Sequence, residues 1–128
     1  MIGAIVLTHG QFGVELLKTA EGIVGKQEGV FAVSNANETY DAVKKRVIDE
    51  IQKLSSVREV VLFVDMPGGS CWRVAQEVFR ASGEKRLIVL SGINLPMLLS
   101  FFVKRQTVGY DEIPYVLEVD GKKAIHCG

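Results

Sequence analysis

The stretch IGAIVLTHGQFG, residues 2–13, decides how the rest of the chain folds. It opens with a short, nearly uninterrupted apolar run at residues 2–7, which is the pattern of a β-strand covered on both faces. The run stops at Thr8, and a helical pattern begins shortly after His9 and Gly10. A buried strand that leads directly into a helix is the first half of a βαβ unit, so the sequence predicts an α/β fold.

Three further runs, at residues 30–33, 60–64 and 87–90, are rich in Val, Leu and Phe and predict three more buried strands. Between them, apolar residues recur at steps of three and four, as they do in amphipathic helices. This alternation predicts one domain, residues 1–128, with a doubly wound, mainly parallel four-stranded sheet and helices on both faces. The predicted helices cover residues 14–24, 40–54, 74–79 and 97–103.

The C-terminal part has a less regular pattern. Residues 111–119 predict a short helix with Pro114 in its first turn, and Gly121 is expected to stop it. A final strand is then expected at residues 123–127. The alternative is a hairpin over residues 116–125, turning at the Asp-Gly pair.

The composition excludes several classes of partner and site. Lys plus Arg equals Asp plus Glu at 15 each, so the protein has no overall basic field for nucleic acid or an anionic membrane. The N-terminus lacks a secretory pattern, and no apolar run approaches the about 20 residues needed to cross a bilayer, so a cytoplasmic location is expected.

Cys71 and Cys127 are expected to be free thiols. His126 beside Cys127 makes a poor metal site, because neighbouring strand residues face opposite ways.

Polar residues gather where the predicted strands end. The turns THGQFG, DMPGGSCW and SGINLP supply His9, Asp65, the Gly68-Gly69-Ser70 turn and Asn94. In an open parallel sheet, ligands bind beyond the carboxyl ends of the strands, where the strand order reverses. If the second and third strands lie on opposite sides of the first, His9 and Asp65 flank the same crevice and can touch.

Such a cluster has a definite chemistry. An aspartate that accepts the N–H of one imidazole nitrogen leaves the lone pair of the other nitrogen free as a nucleophile or base. A Gly-Gly-Ser turn that opens a helix presents unpaired N–H groups and the positive end of the helix dipole to an anion. His9 and this turn together predict phosphoryl chemistry on histidine.

Each of these residues also has an ordinary structural interpretation. A single histidine after a strand is often structural, and Asp65 can simply cap a turn. Gly-Gly-Ser turns often only turn, and Asn94 before Leu95 and Pro96 fits a helix N-cap. Cys71 at a helix start is a weak candidate for a reactive thiol. The functional interpretation depends on all of the other candidates meeting at one edge of the sheet.

Three segments, AIVLTHGQF, LFVDMPGGS and LSGINLPMLL, lie within residues 3–103. Through them the chain resembles the IIA components of the mannose-family (mannose/fructose/sorbose) sugar phosphotransferase system. The resemblance implies a phosphotransferase in which His9 accepts a phosphoryl group from the phosphocarrier protein HPr and passes it to a IIB component. It also implies that Asp65 orients the ring, that Gly69 and Ser70 hold the phosphoryl oxygens, and that Thr8 and Asn94 support the pocket.

The same resemblance implies no metal and no cofactor, and contact with the membrane only through the permease complex. It further implies a homodimer whose last strand crosses to the partner subunit or pairs antiparallel at the sheet edge. Members of the family often carry Pro and Phe after the Gly-Gly-Ser turn, where this chain has Cys71 and Trp72. The IIB component is expected to be met in trans, and the sugar cannot be read from this component.

Two other functions are compatible with the same residues. In the first, the phosphohistidine is a regulatory signal to a transcription regulator or kinase, and only the partner distinguishes this role from sugar uptake. In the second, His9, Asp65 and Ser70 form a hydrolase triad. The sequence GGSCW lacks the Gly-x-Ser-x-Gly turn that exposes the nucleophile of α/β-hydrolases, which disfavours this second alternative.

Overall fold

The chain forms four strands and five helices in the computed structural model, which describes residues 1–128. Each of the four strands predicted for the parallel sheet is present, with its ends shifted by no more than one residue. None of the helices is both long enough and apolar enough to cross a bilayer. The strands are β1 (Ile2–Thr8), β2 (Val30–Ser34), β3 (Glu59–Val64) and β4 (Arg86–Ser91), and the helices are α1 (Phe12–Val24), α2 (Tyr40–Lys53), α3 (Ser70–Arg80), α4 (Leu95–Lys104) and α5 (Ile113–Lys123).

The sheet has the order β2-β1-β3-β4, and every neighbouring pair is parallel. The strand order reverses at β1, which has β2 on one side and β3 on the other, as the predicted crevice requires. Leu7 pairs with Val33 of β2 and with Val64 of β3, so the carboxyl ends of these three strands lie level. The turns after them therefore meet at one edge of the molecule.

Alternate residues of each strand face two separate apolar cores. Ala4, Val6 and Phe63 pack with α1, α4 and α5 on one face of the sheet. Ile5 and Leu62 pack with α2 and α3 on the other. This confirms the doubly wound fold, and it explains why the strands read as continuous apolar runs rather than as alternating ones.

The prediction for the C-terminal part is partly wrong. A helix is present, but it starts at Ile113, runs to Lys123 and contains Gly121, which does not stop it. A Cβ atom at Gly121 would lie 2.8 Å from Cε of Met97, so this glycine serves the close packing of α5 on α4. The final strand expected at residues 123–127, and the hairpin offered as its alternative, are both absent: residues 125–128 have no regular secondary structure.

Candidate active site

His9 and Asp65 are in direct contact beyond the ends of β1 and β3. Nδ1 of the His9 imidazole lies 2.8 Å from Oδ2 of Asp65, and the backbone N–H of His9 donates to the same oxygen at 3.0 Å. The other carboxylate oxygen, Oδ1, accepts from the backbone N–H of Met66 at 3.0 Å. Both carboxylate oxygens are therefore held, and the side chain of Asp65 cannot rotate away from the ring without breaking these bonds.

The charge of Asp65 determines which nitrogen of the His9 ring carries the proton. Burial by itself raises the pKa of the Asp65 carboxyl, but the hydrogen bonds from the backbone and ring of His9 outweigh burial and hold the pKa below its ordinary value. The ionised carboxylate can only accept, so Nδ1 carries the proton and Nε2 carries the lone pair. The side chain of His9 is 45% exposed and that of Asp65 is 15% exposed, so a protein partner can reach the ring.

The Gly68-Gly69-Ser70 turn stands against the exposed part of this ring. Gly68 has a φ of +85°, a conformation that favours glycine, and α3 begins two residues later. A Cβ atom at Gly69 would lie 3.2 Å from Cε1 and 3.5 Å from Nε2 of His9. The first backbone N–H groups of α3 have no partner within the helix. The turn therefore places an anion-binding helix N-terminus beside the nitrogen that holds the lone pair.

Asn35 also belongs to this cluster, although the sequence patterns do not single it out. It follows β2 directly, and its Oδ1 accepts from the backbone N–H of Gly10 at 2.9 Å. Its Nδ2 lies 3.5 Å from Oγ of Ser70. The rule that ligands bind beyond the carboxyl ends of parallel strands could have found Asn35, because the turn after β2 lies at the same edge of the sheet as His9.

Thr8 and Asn94 have supporting contacts of different kinds. Thr8 is fully buried, and its Oγ1 accepts from the backbone N–H of Gly13 at 2.6 Å, which ties the end of β1 to the first turn of α1. Asn94 caps α4 by accepting from the N–H of Met97, and it donates to the carbonyl of Gly121. Its side chain is thus used to join α4 to α5, and it makes no hydrogen bond to the His9 turn.

Cys71 and Ser70 lie close to the ring without sharing its hydrogen bonds. Burial and the charge of Asp65 raise the pKa of the Cys71 thiol to about 11, so its position at a helix start does not activate it. Possible ligand atoms of His9, Asp65 and Cys71 lie within 4.8 Å of one another, and Oδ2 of Asp65 is already hydrogen-bonded to the ring and the backbone N–H of His9. No hydrogen bond joins the Ser70 hydroxyl to the imidazole, and this link is the one a hydrolase triad requires.

A surface cavity of the protein lies away from this cluster. It has a volume of about 500 Å³ and lies near the starts of β3 and β4, between the C-terminal ends of α2 and α3. Ile51, Val57, Val78 and Leu87 are among the residues that line it. Asn35, Ser70 and Cys71 line a smaller cavity of about 150 Å³ beside His9. The exposed ring of His9 suits contact with another macromolecule better than capture of a small substrate.

Comparison with known proteins identifies the family of this chain. The family model described as PTS system fructose IIA component (EIIA-man) matches residues 3–116. The chain is 27% identical over 126 residues to the PTS system mannose-specific EIIAB component of Escherichia coli (strain K12), a match that covers 97% of this chain. The chain spans only 38% of the length of that relative.

Two further proteins extend the comparison. The chain is 24% identical over 114 residues to the PTS system fructose-specific EIIA component of Bacillus subtilis (strain 168), covering 88% of this chain and 77% of that one. A crystal structure of phosphotransferase system component EIIA from Streptococcus agalactiae superposes with a TM-score of 0.91 and 26% identity, covering 99% and 97% of the two chains. A family model that covers residues 3–116 includes all but the first residue of β1, the whole of β2 to β4 and every residue of the His9 cluster, and the chain therefore belongs to the IIA components of the mannose and fructose family of the phosphotransferase system.

Proposed function

We propose that His9 is the phosphoacceptor of this IIA component, and that it takes its phosphoryl group from the phosphohistidine of HPr and passes it to a IIB component. The observation that carries the proposal is the contact between Asp65 and Nδ1 of His9, which leaves the lone pair of Nε2 beside the start of α3. Membership of the family implies phosphotransferase activity in general. The geometry supports this particular nitrogen as the nucleophile.

The transfer needs little chemistry beyond alignment. Nε2 of His9 forms a bond to phosphorus while the bond between phosphorus and the donor imidazole breaks, and the electron pair of that bond returns to the donor ring. The His9 ring gains positive charge, which the Asp65 carboxylate stabilises through Nδ1–H. The N–H groups at the start of α3 bind the phosphoryl oxygens, so the protein contributes position and oriented dipoles.

The surroundings of His9 suit a protein donor. Phe12 and Met66 flank the turn and are 49% and 52% exposed, although both side chains are large and apolar. Such residues around a reactive group are typical of the centre of a protein interface. In this proposal the IIB component meets the same surface after HPr leaves. This exchange would take place in the cytoplasm.

A homodimer also remains part of the proposal, although the predicted exchanged strand is absent. β4 pairs only with β3, so the other edge of β4 has no strand partner. An unpaired edge of this kind can pair with the same edge of a second copy. Sedimentation of the purified protein at several concentrations tests this: a species of one chain throughout would contradict it.

The test of the function is phosphorylation from phosphoenolpyruvate with enzyme I and HPr. We expect one acid-labile, base-stable phosphoryl group per chain, detected by intact mass, and its complete loss in His9→Ala. His126→Ala is the matched control, because His126 is the only other histidine, and it is exposed in the C-terminal tail. Full labelling of His9→Ala would contradict the proposal.

The regulatory alternative is decided by a second step of the same experiment. Phosphorylated protein is separated from HPr and mixed with a IIB component of the mannose family. Loss of the label to that protein supports a role in sugar uptake. Retention of the label with all IIB components tried would instead favour the regulatory role.

A further inference from the structure

We propose that Asn35 is a positioning residue that holds the His9 turn and directs the hydroxyl of Ser70 toward the phosphoryl group. This inference rests on the proposed function, because it assigns a role to Asn35 in the transfer at His9. None of the three segments that carry the family resemblance contains Asn35.

Asn35 holds the backbone on both sides of His9. Its backbone N–H donates to the carbonyl of Thr8 at 3.3 Å, and its side-chain Oδ1 accepts from the N–H of Gly10 at 2.9 Å. Gly10 has a φ of +56°, so the chain turns sharply directly after His9. Asn35 thus fixes the two peptide groups that flank the reactive residue, while Asp65 fixes its ring.

The orientation of the Asn35 amide follows from this contact. The N–H of Gly10 can only donate, so the amide oxygen must face it and the amide NH₂ must face Ser70. Oγ of Ser70 then accepts from Nδ2 at 3.5 Å. This is a long contact, as is common at sites that tighten only when the reacting group is bound.

The consequence concerns the hydrogen of the Ser70 hydroxyl. With its oxygen accepting from Asn35, Ser70 keeps its own O–H free to donate to another acceptor. Ser70 follows Gly69, which lies against Nε2 of His9, so a phosphoryl group on Nε2 is the anion placed to receive it. Asn35 therefore adds a side-chain donor to the backbone donors of α3.

Replacing Asn35 by Asp separates positioning from simple support of the fold. The Asp variant keeps an oxygen for the N–H of Gly10, but its second oxygen accepts from Ser70 and turns the hydroxyl away from the phosphoryl group. Asn37→Asp is the matched control, because Asn37 is an exposed residue of the same loop and the change adds the same charge. Asn35→Ala removes both side-chain contacts without adding charge.

The experiment is single-turnover transfer from phospho-HPr at increasing donor concentration. We expect Asn35→Asp to lower the maximal rate about tenfold or more, as for loss of one oriented donor, with little change in the donor concentration at half-maximal rate. Asn35→Ala should show a smaller loss of the same kind, and Asn37→Asp should match the wild type. In a Ser70→Ala background, Asn35→Asp should lower the maximal rate by a much smaller factor than it does in the wild type.

The opposite results overturn the inference. A maximal rate of Asn35→Asp within twofold of the wild type would contradict it. An Asn35→Asp substitution that lowers the maximal rate equally in the wild type and in the Ser70→Ala background would also contradict it. An effect on half-saturation alone would assign Asn35 to partner binding instead. A wild-type protein that takes no phosphoryl group on His9 would overturn the proposed function itself and this inference with it, so the two failures are distinguishable.

Discussion

Replacing Asp65 by Asn tests the central contact of the site with almost no change in shape. The carboxylate accepts from the ring and backbone of His9 with Oδ2, and from the N–H of Met66 with Oδ1. An amide has one oxygen and one NH₂ group, so either orientation sets the NH₂ against a backbone N–H. The two orientations are nearly balanced, since each leaves one backbone donor unsatisfied.

The expected loss of rate can be worked from these contacts. With the amide oxygen toward His9, the ring keeps its proton on Nδ1. With the NH₂ toward His9, the proton moves to Nε2 and the nucleophile is lost. Because the two orientations are nearly balanced, about half of the protein is inactive, which lowers the rate by a factor of about two. As the ring gains charge, the bond from Nδ1–H to a carboxylate exceeds the bond to an amide by about 1–1.5 kcal/mol. Since about 1.4 kcal/mol is a factor of ten, the rate should fall about 10- to 30-fold.

The assay is rapid-quench transfer from labelled phospho-HPr to the Asp65→Asn protein, with thermal unfolding measured on the same sample. Asp49→Asn is the matched control, because Asp49 pairs with Lys45 on an exposed helix face. This substitution should not change the rate of transfer. A folded Asp65→Asn protein that transfers within twofold of the wild-type rate would show that the carboxylate does not stabilise the charged ring. So would a loss that appears equally in Asp49→Asn.

Three further outcomes are expected. Gly69→Ala places a methyl group 3.2 Å from Cε1 and 3.5 Å from Nε2 of His9, so phosphorylation should slow by at least about tenfold with little change in melting temperature, measured by labelling and calorimetry. Tyr110→Phe removes the hydroxyl whose single hydrogen is shared between the carbonyls of Val60 and Arg86, so stability should fall by about 1–2 kcal/mol in urea titrations, and transfer should be unaffected. The pKa of Asp65 is lowered in the folded state, so its contribution is present above the ordinary aspartate pKa of about 3.9 and is lost as pH falls through the folded value. The difference in unfolding free energy between wild type and Asp65→Asn should therefore shrink below about pH 4, and a difference that grows there would contradict this sign.

Much of the fold is predictable from local patterns. The strands are continuous apolar runs because both faces of the sheet are covered, and that pattern is visible without any knowledge of the neighbours. The helices α1 and α2 are predicted by the period of their apolar residues, since each packs only one face on the sheet. The positions of His9 and Asp65 follow from the rule that parallel strands present their carboxyl ends together.

The errors arise where long-range packing decides. Gly121 resembles a helix stop, but it lies inside α5 because Met97 of α4 occupies the space where a side chain would be. Asn94 is the helix N-cap that its place before Leu95 and Pro96 predicts, but local sequence does not predict its second hydrogen bond, to the carbonyl of Gly121 in α5. In both cases the deciding neighbour lies more than twenty positions away along the chain.

The sequence by itself determined the order of strands and helices, and which turns carry polar side chains. These depend on the periodicity of apolar residues and on the chemistry of short segments, which are local properties. Only the tertiary structure decided that Oδ2 of Asp65 meets both the ring and the backbone of His9, and that Asn35 joins Gly10 to Ser70. Those contacts depend on β1 lying between β2 and β3 with their ends level, and hydrogen bonds are sensitive to distances that no local pattern specifies.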